Sequence, residues 1–169
     1  IRASIPTTIE IRQQIKSEAL VMADPTQIHQ VIMNLCTNAE HAMRAKAGVL
    51  EVALLDVKLG PEFTSNYPEL KPGAYQELTV KDTGHGIPNH IMNRIYDPFF
   101  TTKKTGEGTG MGLSVIHGIV GSHGGAILAS SEPGKGSTFN VYLPVVEMPV
   151  ASQTETEEPV PTGIEHILF

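Results

Sequence analysis

Cysteine is almost absent from this sequence, which limits how the protein is stabilised and which metals it holds. The 169 residues include a single cysteine, Cys36, so no disulfide forms within the chain. There is also no second thiolate to share a zinc or iron–sulfur site with Cys36. We therefore expect a protein of a reducing compartment and assign it to the cytoplasm.

Long apolar runs and an excess of positive charge are also missing. No run approaches the roughly 18 apolar residues that suffice for a membrane-spanning helix. The formal net charge is -6, which does not suit broad electrostatic binding of nucleic acid or anionic lipid. We expect no nucleic-acid partner and no direct membrane contact by this domain. Because the sequence begins at Ile1 without an initiator Met, we expect a piece of a longer protein, and an inner-membrane anchor elsewhere in that parent stays open.

The residues that are present divide the chain into one globular domain and a different tail. Hydrophobic residues make up 40% of the sequence, which is ordinary for a folded domain. Residues 1–6 look like the end of an upstream element, and residues 7–146 carry strand and helix patterns. Residues 147–163 are acidic and proline-rich, which is a linker composition. Residues 164–169 turn apolar again, as in a strand that is cut short.

The strongest secondary-structure signal is a helix that begins after Asp24. Asp24 is a capping residue, Pro25 suits the first helical position, and Gln27 completes a capping-box pattern. We predict that this helix runs to about Ala45. The other predicted elements are two helices at Pro88 to Tyr96 and Leu113 to Ser122, and strands at Thr7 to Arg12, Ala19 to Met22, Val49 to Leu59, Tyr75 to Lys81, Ala126 to Ser130 and Ser137 to Leu143.

One edge of the long helix carries polar side chains at helical spacing. At about 100° per residue, Gln30, Asn34, Asn38 and His41 gather in a narrow stripe beside the apolar face. This is where the wall of a cleft would lie. An amide oxygen can coordinate Mg²⁺, which prefers oxygen ligands and keeps several waters. Solvated or capping amides are the simpler alternative for Asn34 and Asn38.

The segment from Asp82 to Gly86 places a carboxylate and two glycines directly after a predicted strand. A carboxylate there accepts a hydrogen bond from an exocyclic amine such as that of adenine, whereas a guanine carbonyl does not donate one. Glycines let a flat base approach the backbone. An ordinary turn has the same composition, so this motif alone is weak.

A second glycine cluster, Gly108 to Gly112, immediately precedes the predicted helix at Leu113. The free N–H groups and the dipole of a helix N-terminus suit a phosphate chain. The cluster is neither a P-loop nor a dinucleotide fingerprint, since no Gly-Lys-Ser/Thr follows it and no strand directly precedes it. A flexible loop ahead of a helix is the alternative interpretation.

In this order and spacing, the motifs resemble those of the catalytic ATP-binding domain of bacterial sensor histidine kinases. That domain belongs to the Bergerat-fold superfamily, which also contains DNA gyrase B, Hsp90 and MutL. The resemblance covers roughly Pro6 to Pro144. The matching motifs are the N box Asn34 to Ala39, the G1 box Asp82 to Ile87, the F box Tyr96 to Lys103, the G2 box Gly108 to Leu113, and a closing glycine-strand segment Gly134 to Phe139.

The resemblance implies a fold and a set of site residues. The implied fold is an α/β two-layer sandwich with a mixed, mostly antiparallel sheet, helices on one face, and ATP between the helices and a lid from about Pro88 to Glu107. Asn38 is implied to bind Mg²⁺, Asp82 to bind the adenine amine, and Asn34, Asn38 and His41 to form the catalytic group. The other implied nucleotide-binding positions are Gly84, Gly86, Ile87, Phe100, Thr101, Thr102, Lys103, Gly108, Thr109, Gly110, Met111, Gly112, Leu113 and Thr138.

Asn34 separates the branches of this superfamily. The gyrase, Hsp90 and MutL relatives carry a Glu four residues before the metal-binding Asn, and that Glu activates water. An amide cannot act as a general base, so Asn34 favours transfer of the γ-phosphoryl group over hydrolysis. A hydrolysing ATPase, a serine kinase of the anti-sigma type and a non-catalytic nucleotide-sensing docking module remain as alternatives.

The resemblance also implies partners that this sequence does not contain. The phosphate acceptor of a histidine kinase is a histidine typically followed by an acidic residue, and none of the seven histidines here is followed by Asp or Glu. The expected partners are a histidine-bearing dimerisation domain of the same protein, ending near residues 1–6, and a response-regulator receiver domain. Residues 164–169 resemble the first strand of such a receiver. The parent protein is expected to be a homodimer.

Overall fold

The computed structural model describes residue 2 and residues 5–103 and 109–146. The predictions for residues 147–163 and 164–169, for Gly108, for residues 104–107 of the lid and for residues 1, 3 and 4 therefore lie outside the described residues. Within the part of the chain that is described, no helix is both long and apolar enough to cross a membrane.

A five-stranded mixed sheet forms one layer of the domain. Its strands are β1 (Ile9–Ile15), β2 (Gly48–Leu59), β3 (Gly73–Asp82), β4 (Ala126–Glu132) and β5 (Gly136–Pro144). They lie in the order β1-β2-β3-β5-β4. β1 pairs in parallel with β2, and the other three pairings are antiparallel. The mixed, mostly antiparallel sheet was predicted.

Two long helices, α1 (Pro25–Met43) and α3 (Gly112–Ser122), form the second layer. α1 begins where its sequence signals place it: the Asp24 carboxylate accepts hydrogen bonds from the N–H groups of Thr26 and Gln27 at 2.7 and 3.4 Å. Such a cap stabilises a helix by about 1 kcal/mol. The helix ends at Met43, two residues before the predicted end.

The core lies between this helical layer and the sheet. Its fully buried side chains come from both layers and include Val31 and Leu35 of α1, Ile116 and Val120 of α3, and Val80 of β3. A helix buries an apolar stripe and a strand buries alternate residues. The apolar stripes of α1 and α3 therefore pack against the alternate apolar residues on one face of the sheet. The packing holds the polar edge of α1 beside the end of β3.

The opposite face of the sheet carries a smaller cluster. Tyr75 and Tyr142 pack there with Phe63 and Tyr67 from the connection between β2 and β3, which contains the short helix α2 (Pro61–Thr64). Val141, next to Tyr142, points into the main core. The alternation along β5 therefore separates the two faces of the sheet.

The predicted strand Ala19 to Met22 is wrong. In this segment Val21 forms a single antiparallel bridge with Val145, and Leu20 and Met22 are largely exposed. The segment meets the chain just beyond the end of β5, and among the described residues it forms this bridge and one further backbone hydrogen bond, from the N–H of Val146 to the carbonyl of Leu20 at 2.8 Å. The short helix predicted from Pro88 is a 3₁₀ helix, Asn89–Arg94, and no residue of it is buried.

Candidate nucleotide-binding site

A cavity of about 690 Å³ lies between α1, the end of β3 and the start of α3. Its volume falls in the range of small-molecule and cofactor sites. One part is apolar and includes Ile87, Ile91, Ile95 and Phe139, whereas α1 contributes a polar wall. The other lining residues are Asn34, Thr37, Asn38, His41, Ala42, Asp82, His85, Gly86, Pro88, His90, Phe100, Thr101, Thr102, Lys103, Thr109, Gly110, Gly112, Leu113 and Ser137.

The polar wall is the predicted stripe of α1 without Gln30, which is exposed and does not line the cavity. Asn34, Asn38 and His41 all line the cavity. The amide oxygen of Asn38 accepts a hydrogen bond from the ammonium group of Lys103 at 3.1 Å. The contact shows that this oxygen is accessible from the cavity, where it can coordinate a hard cation once the ammonium group is displaced. Among the described residues, no group of three His, Cys, Asp or Glu residues could hold a metal ion, so a cation here would take most of its ligands from phosphate and water.

Asp82 stands at the end of β3 and is 4% exposed. One carboxylate oxygen accepts a hydrogen bond from the N–H of Gly84 at 2.8 Å. Burial raises the pKa of Asp82, while the backbone N–H groups of Gly84 and Ser137 and the charge of His85 lower it. A carboxylate has about four lone-pair sites, so Asp82 retains acceptor capacity for a ligand amine in the cavity.

The turn after Asp82 is held between α1 and the β4–β5 hairpin. Gly84 packs directly on Ala42, where a Cβ at position 84 would lie 2.6 Å from the Ala42 carbonyl oxygen. The N–H of His85 also donates to that oxygen at 3.1 Å. On the other side, the N–H of Gly134 donates to the carbonyl of His85 at 2.8 Å. The backbone of the turn is therefore fixed on both sides.

Replacing Gly86 with Ala should both destabilise the domain and weaken nucleotide binding. Gly86 has a φ of +71°, and a Cβ there would lie 2.2 Å from the carbonyl oxygen of Glu132. We expect the free energy of unfolding to fall by about 1–3 kcal/mol and nucleotide affinity to fall about tenfold, because the turn must move. Urea unfolding and calorimetry measure the two effects.

Gly118→Ala is the matched control for this substitution. Gly118 lies in α3, and a Cβ there would meet nothing within 4 Å. Ala has the higher helix propensity, so this variant should be as stable as the wild type or more stable. An unchanged unfolding midpoint for Gly86→Ala would contradict the tight placement of the turn.

The N-terminus of α3 faces the cavity without a side-chain cap. Its N-cap residue is Met111, whose side chain accepts no hydrogen bond from the first turn. Gly112 and Leu113, the first residues of the helix, both line the cavity. Gly112 is also close to α1, since a Cβ there would lie 4.0 Å from the amide nitrogen of Asn38. Free N–H groups at this point form a binding place for an anionic ligand next to Asn38.

The two phenylalanines of the F box have different surroundings. Phe100 lines the cavity, and the Arg94 guanidinium lies 4.6 Å from its ring centre. Phe99 is 75% exposed, and its φ of 65° is rare for a bulky residue. Its backbone touches Gly110, where a Cβ would lie 2.4 Å from the Phe99 carbonyl carbon. Gly110 thus permits a contact between the F box and the second glycine cluster that no larger residue would allow.

The structure brings most of the predicted site residues together, with three exceptions among those described. Gly84 lies behind the turn against α1, and Met111 is exposed beside the cavity. Thr138 does not line the cavity; its neighbours Ser137 and Phe139 do. Alternation along β5 turns position 138 to the opposite face of the sheet, so we leave Thr138 out of the site.

Sequence reasoning missed several lining residues. The missed residues are Thr37, Ala42, His85, Pro88, His90, Ile91, Ile95, Ser137 and Phe139. The two from β5 could have been found from the alternation of that strand, and Thr37 and Ala42 from their place beside the polar stripe of α1. The remaining missed residues lie between His85 and Ile95. That segment has no regular helix or strand periodicity in its sequence, so the side chains that point into the cavity could not be predicted.

Comparison with known proteins identifies the family. A family model described as "Histidine kinase-, DNA gyrase B-, and HSP90-like ATPase" matches residues 23–147, which is most of the chain. The chain therefore belongs to this family of nucleotide-using domains, as the motifs indicated.

The relatives found are sensor kinases. The chain is 41% identical over 124 residues to sensor kinase CckA of Brucella abortus (strain 2308), covering 73% of this chain and 13% of that protein. It is 40% identical over 125 residues to sensor histidine kinase ZraS of Escherichia coli (strain K12), covering 74% of this chain and 23% of that protein. The chain thus spans less than a quarter of the length of these curated relatives. These matches do not favour the gyrase-like, serine-kinase or docking-module alternatives.

Solved structures confirm the α/β two-layer fold. The catalytic domain of histidine kinase ThkA superimposes with a TM-score of 0.63 at 30% identity, covering 81% of this chain and 79% of that one. Full-length ShkA in complex with AMPPNP gives a TM-score of 0.63 at 25% identity, and the match covers 81% of this chain and 26% of ShkA. The domain is therefore a histidine kinase catalytic domain in fold.

Proposed function

We propose that this domain binds Mg-ATP and presents its γ-phosphoryl group to a histidine on a separate dimerisation domain of the parent protein. One observation carries the proposal: Asp82, Asn38 and the uncapped N-terminus of α3 line a single cavity. These groups can bind an amine, a hard cation and an anion, and Mg-ATP has all three.

The adenine base fits the end of the cavity at Asp82. Ile87, Ile91 and Phe139 provide apolar surface for a flat ring, and the Asp82 carboxylate accepts from its exocyclic amine. A guanine would place a carbonyl oxygen against that carboxylate. The chemistry of this end therefore favours adenine nucleotides.

The phosphates fit between α1 and α3. Gly112 and Leu113, at the start of α3, line this part of the cavity and would offer N–H groups to the phosphate chain. Asn38 would supply an amide oxygen to Mg²⁺, and Lys103 would supply a positive charge. When bound, the metal neutralises phosphate charge during transfer. Asn38 would hold it through an uncharged oxygen, so we expect weak Mg²⁺ binding in the absence of nucleotide.

Transfer is favoured over hydrolysis by the groups at the phosphate end. Asp82 is the sole carboxylate among the described residues that line the cavity, and it lies at the base end. Asn34 cannot take a proton from water. The domain therefore holds the γ-phosphoryl group in place and contributes charge neutralisation, while the nucleophile is an imidazole from elsewhere.

The partners follow from this incomplete site. We propose that the acceptor histidine belongs to a dimerisation domain of a homodimeric parent and that a receiver domain takes the phosphoryl group from it. The site requires ATP, so we place the domain in the cytoplasm.

Calorimetry with AMPPNP tests the binding step on this chain. We expect one nucleotide per chain, with affinity that rises when Mg²⁺ is present. Inosine triphosphate should bind much more weakly, since it has a carbonyl where adenine has its amine. Equal binding of both nucleotides, or no binding of either, would overturn the proposal.

A further inference from the structure

We propose that Ser131 is a positioning residue for the adenine end of the cavity. It acts through the backbone of Ile87 and the hydroxyl of Ser137, both of which line that end. This inference rests on the proposed function, because it concerns how the same site selects its base. Ser131 itself does not line the cavity and lies on β4.

Three contacts converge on the Ser131 hydroxyl. It accepts a hydrogen bond from the N–H of Ile87 at 2.7 Å. It donates to the carbonyl oxygen of Gly136 at 2.8 Å. The hydroxyl oxygen of Ser137 is 3.0 Å away. The hydroxyl thus joins the turn after Asp82 to both strands of the β4–β5 hairpin.

The number of hydrogens determines the direction of the last contact. A serine hydroxyl has one hydrogen and two lone pairs. A carbonyl oxygen only accepts, so Ser131 must use its hydrogen on Gly136. Ser137 must then donate to Ser131. With its hydrogen directed to Ser131, the buried Ser137 hydroxyl presents lone pairs to the cavity.

This orientation matters for the choice of base. Ser137 lines the cavity with Asp82, and both groups then act as acceptors. An acceptor-only end suits the amine of adenine and disfavours the carbonyl of a guanine or hypoxanthine base. Without the Ser131 hydroxyl, Ser137 is free to rotate and donate, and the N–H of Ile87 loses its partner.

The test compares Ser131→Thr with Ser131→Val. Both replacements are β-branched and suit a strand, but only Thr keeps the hydroxyl. We expect the Thr variant to bind ADP within about twofold of the wild type and the Val variant to bind about tenfold more weakly, as for loss of one buried hydrogen bond. Ser131→Ala should behave like Val. Ser130→Ala, at the exposed neighbouring position on β4, is the control and should bind like the wild type.

A second readout separates positioning from a purely structural role. The ratio of ADP affinity to inosine diphosphate affinity should fall about fivefold in the Val variant and stay unchanged in the Thr variant. Amide exchange at Ile87, followed by NMR, should accelerate in the Val and Ala variants and stay unchanged in the Thr variant. A variant that is merely less stable would bind with an unchanged ratio below its unfolding transition.

The outcomes distinguish this inference from the proposed function. If the wild type binds no adenine nucleotide, the proposed function fails. If the wild type binds ADP but the Thr and Val variants share its affinity and its ADP preference, Ser131 does not position the site and the inference is overturned.

Discussion

Replacing Asp82 with Asn should abolish measurable binding of adenine nucleotides while stabilising the folded domain. The Asn side chain keeps an oxygen that accepts from the N–H of Gly84, as Asp82 does at 2.8 Å. Asn loses the weaker interaction with the N–H of Ser137, but burial of the charge is the larger effect on Asp82. The NH₂ group of Asn then faces the adenine amine. Both groups are hydrogen-bond donors, whereas in the wild type the amine donates to a carboxylate oxygen of Asp82. We expect at least about a 100-fold loss of affinity, from the lost charge-assisted bond and the unpaired polar groups.

The gain in stability follows from the pKa of the buried carboxyl. Burial raises the pKa of Asp82 above its ordinary value of 3.8, so the folded state binds a proton more tightly than the unfolded state. Stability is therefore lost as the pH rises from about 3.8 through the raised pKa, and the penalty is complete above that window. Asn does not titrate, so its advantage should appear at neutral pH and shrink towards pH 4.

Urea unfolding at the two pH values and calorimetry at neutral pH measure both effects. Asp56→Asn is the control, since Asp56 is an exposed carboxylate on β2 that accepts from Ser17. It should leave nucleotide binding unchanged. Retained affinity in Asp82→Asn would remove the adenine assignment, and a lower midpoint at neutral pH would contradict the penalty of burial.

Replacing Asn38 with Ala should remove the Mg²⁺ dependence of nucleotide binding. The amide oxygen that now accepts from Lys103 at 3.1 Å is the proposed ligand, and Ala offers no oxygen. We expect affinity in the presence of Mg²⁺ to fall about tenfold, to the level measured in EDTA. Calorimetry with AMPPNP, with and without Mg²⁺, gives the comparison.

Two controls separate the metal from other effects of this change. Lys103→Met removes the ammonium group but keeps the Asn38 oxygen, so it should weaken nucleotide binding and leave the Mg²⁺ dependence in place. Asn66→Ala removes an exposed amide on the connection between β2 and β3 and should bind like the wild type. If Asn38→Ala still responds to Mg²⁺, the metal ligand lies elsewhere.

The parts of the fold that sequence could predict are those determined by neighbouring residues. α1 was predicted because Asp24, Pro25 and an apolar stripe are local signals that act within a few turns. The strands were found to within a few residues for the same reason. Ala19 to Met22 has equally good strand residues, but within the described part of the chain it forms one isolated bridge, between Val21 and Val145, and no ladder. A strand needs a partner, and local sequence does not supply one.

The site shows the same limit. Asp82 and Asn38 were predicted because each lies in a short sequence motif and the motifs follow one another in a recognisable order along the chain. The structure places both residues on the cavity. Ser137 was missed and Thr138 chosen instead, because the face of a strand changes with a shift of one residue. Ser131 was not considered, since its role depends on the distance between a turn and a hairpin 44 residues apart in sequence. Contacts of this kind follow from the packed fold.

The fate of the γ-phosphoryl group tests the central claim most directly. The domain would be incubated with γ-labelled Mg-ATP, alone and together with the histidine-bearing dimerisation domain of its parent protein. We predict no label on the domain alone, label on the added domain in an acid-labile, base-stable bond, and little free phosphate. Sustained release of free phosphate without labelled protein would contradict the account and indicate a hydrolysing ATPase.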